Sequence, residues 1–127
     1  MANLDSGSKY EDVGRIVSED VRADPDGAYL YAEAGEGWVE PSIFKDLGNR
    51  LVYREGSHEL SLKLLEIWEA EEPDKRWSAL HYTISNGRFE ASLDYWEDID
   101  PEESTLDRRE RAIRKRFGDK PVDYSDP

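Results

Sequence analysis

The dipeptide Asn86-Gly87 constrains this chain more than any other local feature. Before it, Trp77 to Ile84 alternates, with Leu80, Tyr82 and Ile84 sharing one side. After it, Phe89, Ala91, Leu93 and Tyr95 alternate with Arg88, Glu90, Ser92 and Asp94. Asn-Gly accepts the two positive φ angles of a type I′ turn, whose twist matches that of paired strands. Residues 77–95 are therefore expected to form a β-hairpin with one buried and one wet face.

Around the hairpin the apolar spacing changes from two to three and four, the period of helices. Tyr10, Val13, Ile16, Val17 and Val21 place a helix over Lys9–Val21, preceded by a flexible tail over residues 1–8. Ser57 can cap a second helix over about His58–Glu71, with Leu60, Leu64, Ile67 and Trp68 as its stripe. Asp100-Pro101-Glu102-Glu103 reads as a third helix start, with Asp as cap, Pro at the first position and Glu103 closing a capping box. Leu106, Ile113 and Phe117 are its expected buried stripe, and Gly118 its C-cap. Residues 121–127 read as a tail.

The segment between the first two helices is less regular. Ala28 to Ala34 alternates as a strand, Tyr29, Tyr31 and Glu33 on one side and Leu30 and Ala32 on the other. Trp38-Val39 and Ile43-Phe44 read as two short extended pieces around Pro41, which suits an edge strand, and Arg50 to Tyr53 as another strand. Consecutive strands without crossover helices predict an antiparallel sheet with helices packed on it. The expectation is one α+β domain over residues 1–127, a length that suits a single core.

Charge narrows the partners. The formal net charge is −13, with 30 acidic residues against 17 Lys and Arg. Such a surface repels phosphates and anionic membranes and attracts basic partners. The exception is Arg108, Arg109, Arg111, Arg114, Lys115 and Arg116, clustered on the last helix. They carry no interleaved aromatics for stacking bases, so pairing with the protein's own acids or with a second copy is the simpler role. No nucleic-acid and no membrane partner is expected. The chain has no cysteine, which removes disulfides and thiolate chemistry and fits a cytoplasmic protein.

Reactive motifs are scarce. No phosphate-cradling glycine loop, nucleophile elbow or cofactor fingerprint occurs, and no cofactor is expected. His58 and His81 read as two surface histidines. Acidic residues crowd between Asp94 and Glu103. Asp98, Asp100 and Glu102 have the spacing that opens a calcium loop. The pattern then fails, with Glu103 at the sixth position and Arg109 at the twelfth. A solvated loop, a partner-binding patch and a metal or catalytic site all remain open. Trp96 stands beside these acids and off the buried alternation, as an interface anchor would.

The chain from about Ala28 to Pro121 resembles the YezG-like immunity proteins, a bacterial antitoxin family of polymorphic toxin systems. The residues that carry the resemblance are Trp77, the strand Phe89-Glu90-Ala91-Ser92-Leu93-Asp94-Tyr95, Asp98, Arg108-Arg109, Ile113, Phe117-Gly118 and Pro121. The strand Tyr29-Leu30-Tyr31-Ala32-Glu33 also looks like the family's first strand. The resemblance implies a cytosolic protein, not an enzyme, that neutralises a toxin, often a nuclease, by direct binding. Nucleases are basic because they hold phosphates, so an acidic inhibitor suits them. The residues expected to bind such a basic toxin domain are Trp96, Glu97, Asp98, Asp100, Glu102 and Glu103, with Glu33 and Glu36 as a second acidic edge. The chain is expected to be a monomer or homodimer. The alternatives are an enzyme or metal-binding domain using carboxylates 94–103, or an interaction module with no toxin.

Overall fold

A computed structural model of the protein describes residues 4–22 and 24–124. The elements are α1 (Leu4–Val21), β1 (Ala28–Gly35), β2 (Trp38–Asp46), β3 (Leu51–Glu55), α2 (His58–Ala70), β4 (Ala79–Ser85), β5 (Arg88–Asp94), α3 (Thr105–Phe117) and β6 (Val122–Asp123). The strands form one six-stranded sheet in the order β5-β4-β1-β2-β3-β6. Every neighbouring pair is antiparallel except β3 with β6. This is an α+β fold.

The sheet is covered on both faces. Val13, Ile16 and Val17 of α1 and Leu60, Leu64 and Trp68 of α2 pack against Leu30, Ala32, Leu80 and Tyr82. On the opposite face Ile113, Ala112 and Phe117 of α3 pack against Tyr29, Tyr31, Phe44 and Leu51. β1 alternates between these two cores, which is why both its faces are buried. The sidedness expected for Tyr29, Tyr31, Leu30 and Ala32 is the observed one.

The Asn86-Gly87 turn has φ of 55° and 75°, both positive, as a type I′ turn requires. The hairpin forms one edge of the sheet, with β4 facing the centre and β5 outermost. Ser57 caps α2, its hydroxyl accepting from the Leu60 N–H at 3.2 Å. Gly118 ends α3 at φ 67°.

Several boundaries differ from the sequence expectation. α1 begins at Leu4, so residues 4–8 are helical rather than tail, while residues 1–3 lie outside the described residues. β2 is one continuous strand, paired with β1 from Trp38 to Lys45. Only its second half pairs with β3, from Ser42 onward. Pro41 thus sits where the β3 side is open, the place where a missing N–H costs the ladder least. The expected C-terminal tail is tied down as far as Asp123: Leu51 N–H donates to Pro121 O at 2.8 Å, and Lys120 bonds Asp46 at 2.9 Å. Residues 125–127 lie outside the described residues.

The third helix also moves. Asp100 does not cap it; its carboxylate accepts from the Glu102 N–H at 3.0 Å and closes a separate turn. Ser104 is the cap, accepting from the Asp107 N–H at 3.0 Å. Two cap signals four residues apart compete here, and the later one starts the helix. The shift leaves Leu106 51% exposed, outside the stripe assigned to it, while Ile113 is buried.

Candidate functional site

The acidic segment after β5 folds as two consecutive turns rather than as a helix start. A short 3-10 turn spans Trp96–Asp98. Asp98 pins it from both ends: its carboxylate accepts from the Tyr95 N–H at 2.9 Å, and its own N–H donates to Tyr95 O at 2.8 Å. The Asp100 turn follows, braced by the Arg108 guanidinium, which donates to Asp100 O at 2.9 Å and to Glu103 O. On this frame the Trp96 indole is 67% exposed, the most exposed large apolar side chain among the described residues. Glu97, Asp98, Asp100 and Glu102 are exposed around it.

Sheet register brings a second hairpin to the same end. The Ala34 N–H donates to Ser78 O, and the Ser78 N–H donates to Asp94 O, at 3.1 and 2.7 Å. The β1–β2 tip, with exposed Glu36 and Glu40, therefore lies on the sheet end that carries the acidic turns. Trp38 on that tip is 45% exposed. Its indole occupies the space a side chain at Gly35 would need, so glycine there makes room for the ring. Trp38 and Glu40 were not singled out from sequence. Trp38 directly follows the Gly35-Glu36-Gly37 break, but alternation alone cannot tell which face of a strand's end residue is covered.

Two expected site residues are not available to a partner. Glu33 is 4% exposed and sits under α3. Its carboxylate accepts from the Tyr31 hydroxyl at 2.5 Å, the Thr105 hydroxyl at 3.0 Å, and Arg108 Nε and Nη2 at 2.8 and 2.9 Å. Burial pushes the Glu33 carboxyl up, but the bonds from Arg108, Tyr31 and Thr105 outweigh it and hold it below the ordinary range. Glu103 is half-buried and holds the Arg111 guanidinium in a two-pronged bond, at 2.7 and 3.1 Å. That bond holds the Glu103 carboxyl below its ordinary value. Of the six cations on the last helix, Arg108 and Arg111 thus pair with the protein's own acids, while Arg109 bonds the Ser42 hydroxyl and Arg116 lies over the Tyr29 ring.

A groove of about 610 Å³ lies between α3 and the outer face of the β4–β5 hairpin. At its floor the Tyr29 hydroxyl is 2.7 Å from His81 Nδ1, and His81 Nε2 is 2.8 Å from Asp94 Oδ2. The carboxylate can only accept, so Nε2 is assigned the proton and Nδ1 accepts from the phenol. His81 is thus half-buried in a hydrogen-bonded chain, not a free surface histidine, because α3 covers the face expected to be wet. Burial pushes the Tyr29 phenol well above its ordinary value. A buried, strongly protonated phenol is poorly suited as a nucleophile or base. The chain orients side chains at the helix–sheet seam.

Asp98, Asp100 and Glu103 direct oxygens at their own turns or at Arg111, rather than toward a common point. Among the described residues no three His, Asp or Glu side chains gather as metal ligands. None of the helices among the described residues is long and apolar enough to cross a membrane. Comparison with models of known protein families finds no match, and comparison with curated proteins finds none.

Proposed function

We propose that the chain is an immunity protein that captures a basic toxin domain through the acidic turns after β5. The observation that carries this reading is the exposed Trp96 side chain on a turn pinned by Asp98, with the exposed carboxylates of Glu97 and Glu102 on the same two turns. An aromatic anchor amid charges, held on rigid backbone, is the composition of an interface hot spot. The −13 net charge adds long-range steering toward a basic partner. The resemblance to YezG-like proteins supplies the class of partner. Trp96, Glu97, Asp98, Asp100 and Glu102 form the surface, with Glu36, Trp38 and Glu40 beside it. Glu33 and Glu103 hold the scaffold.

The rival reading, ion binding or catalysis on carboxylates 94–103, has less support because those oxygens diverge. Calorimetric titration with calcium, magnesium and manganese separates the two. The direct test uses the chain as bait in a lysate of the cells that express it. Wild type should retain a basic protein that the Trp96→Ala/Glu97→Lys variant loses. Equal retention by both would remove the turns from the interface.

A further inference from the structure

The two edges of the sheet are not alike. At one edge β6 is only two residues long. At the other, β5 presents seven residues without a proline or glycine, and among the described residues no strand pairs with its outer side. Long open edges invite another strand, and proteins usually shorten, bulge or block them.

The register says which groups face outward. The two-residue turn joins Ser85 to Arg88 as directly opposed partners. In such a hairpin the flanking residues exchange both hydrogen bonds, and the pattern then alternates. Glu90 and Ser92 thus point their backbone groups at β4, while Phe89, Ala91 and Leu93 point theirs away from the sheet. The side chains of Glu90, Ser92 and Asp94 lie on the groove side. Phe89 and Leu93 lie on the other, against the α1–α2 core.

We infer that β5 pairs antiparallel with β5 of a second copy of this chain, about a two-fold axis at Ala91. In that register Phe89 faces Leu93 of the second copy and Ala91 faces Ala91. These are the residues whose backbone groups are free, so all three pairs can exchange hydrogen bonds. Arg88 then stands directly opposite Asp94 of the second copy, twice by symmetry, and Glu90 opposite Ser92. The neighbouring registers that keep the same backbone pairing are unfavourable. Centring on residue 90 sets Glu90 against Glu90, and centring on residue 92 sets Glu90 against Asp94. Like charges directly opposed destabilise a strand pair, and opposite charges stabilise it. The small exposed Ala91 side chain leaves room at the axis. The product is an isologous dimer with one twelve-stranded sheet.

This inference does not depend on the toxin reading, since the acidic turns lie beyond the end of β5. The test is sedimentation equilibrium of wild type, Ala91→Pro and Arg88→Glu over a range of salt, with circular dichroism as the folding control. Proline at 91 removes an outward N–H that the sheet itself does not use. Wild type should be dimeric, more tightly so as salt screens the mutual repulsion of two acidic chains. Ala91→Pro should be monomeric, and Arg88→Glu should weaken the dimer about tenfold. If Ala91→Pro fails to fold, Arg88→Glu decides alone. A monomeric wild type, or a dimer indifferent to the folded variants, overturns the inference.

Discussion

Arg108 and Glu33 meet in a two-pronged ion pair beneath α3, Nε to Oε2 at 2.8 Å and Nη2 to Oε1 at 2.9 Å. Their side chains are 13% and 5% exposed. The same guanidinium also holds the Asp100 and Glu103 carbonyls, so one residue joins sheet, acidic turn and helix. Arg108→Ala would leave the Glu33 charge buried without its main partner. Such truncations cost about 3–5 kcal/mol. Urea denaturation should show a loss of that size, larger than for Arg111→Ala, whose partner pair is more exposed.

The same pair sets an acid limit. The folded-state Glu33 pKa lies below its ordinary value of 4.5. Between these two values the unfolded chain binds more protons than the folded one, so stability rises with pH. The contribution is complete above the ordinary value and is lost as pH falls through the depressed one. Glu33→Gln should therefore flatten the acid limb of a stability-against-pH curve measured by thermal melting. An unchanged acid limb would contradict this assignment.

Tyr29 of β1 and His81 of β4 meet across neighbouring strands on the face that α3 packs against. His81→Ala removes the acceptor of a buried hydroxyl, at a cost of about 1–3 kcal/mol. Tyr29→Phe leaves an unpaired nitrogen on the half-buried His81, a milder loss of about 1 kcal/mol. A double-mutant cycle in urea should show the two coupled. Additive losses would mean the bond contributes nothing.

What could be read from sequence was what short-range chemistry encodes. Asn86-Gly87, Ser57 and Gly118 act within a few residues, and each does in the fold what its sequence context implies. The sidedness of β1 was also legible, because it follows from alternation. Glu33 was not. A carboxylate on a strand of tyrosines looks like a wet edge until α3, 75 residues away, is laid over it. His81 was misplaced for the same reason. The acidic turns were misread differently: Asp100 and Ser104 both carry valid cap chemistry, and only the Arg108 brace on the Asp100 and Glu103 carbonyls shows why the earlier stretch stays a turn. Exposure of Trp96 was anticipated because it breaks the alternation that buries its neighbours.

The displaced start of α3 has its own test. Leu106→Ser, at an exposed site, should change stability by no more than about 0.5 kcal/mol. Ile113→Ala, in the same helix but buried, should lose about 2–5 kcal/mol. Equal losses in thermal or urea denaturation would place Leu106 back in the core stripe.

Capture of a basic partner by the acidic turns is the central claim. Asp98 and Asp100 brace those turns, so reversing them would mix folding with binding. Glu97 and Glu102 are exposed acids on the same turns whose side chains brace neither of them. The decisive measurement is the association rate of the retained basic protein with wild type and with Glu97→Lys/Glu102→Lys, at low salt. A fall of about tenfold or more, with an unchanged melting curve, is the predicted result. An association rate equal to wild type would contradict it.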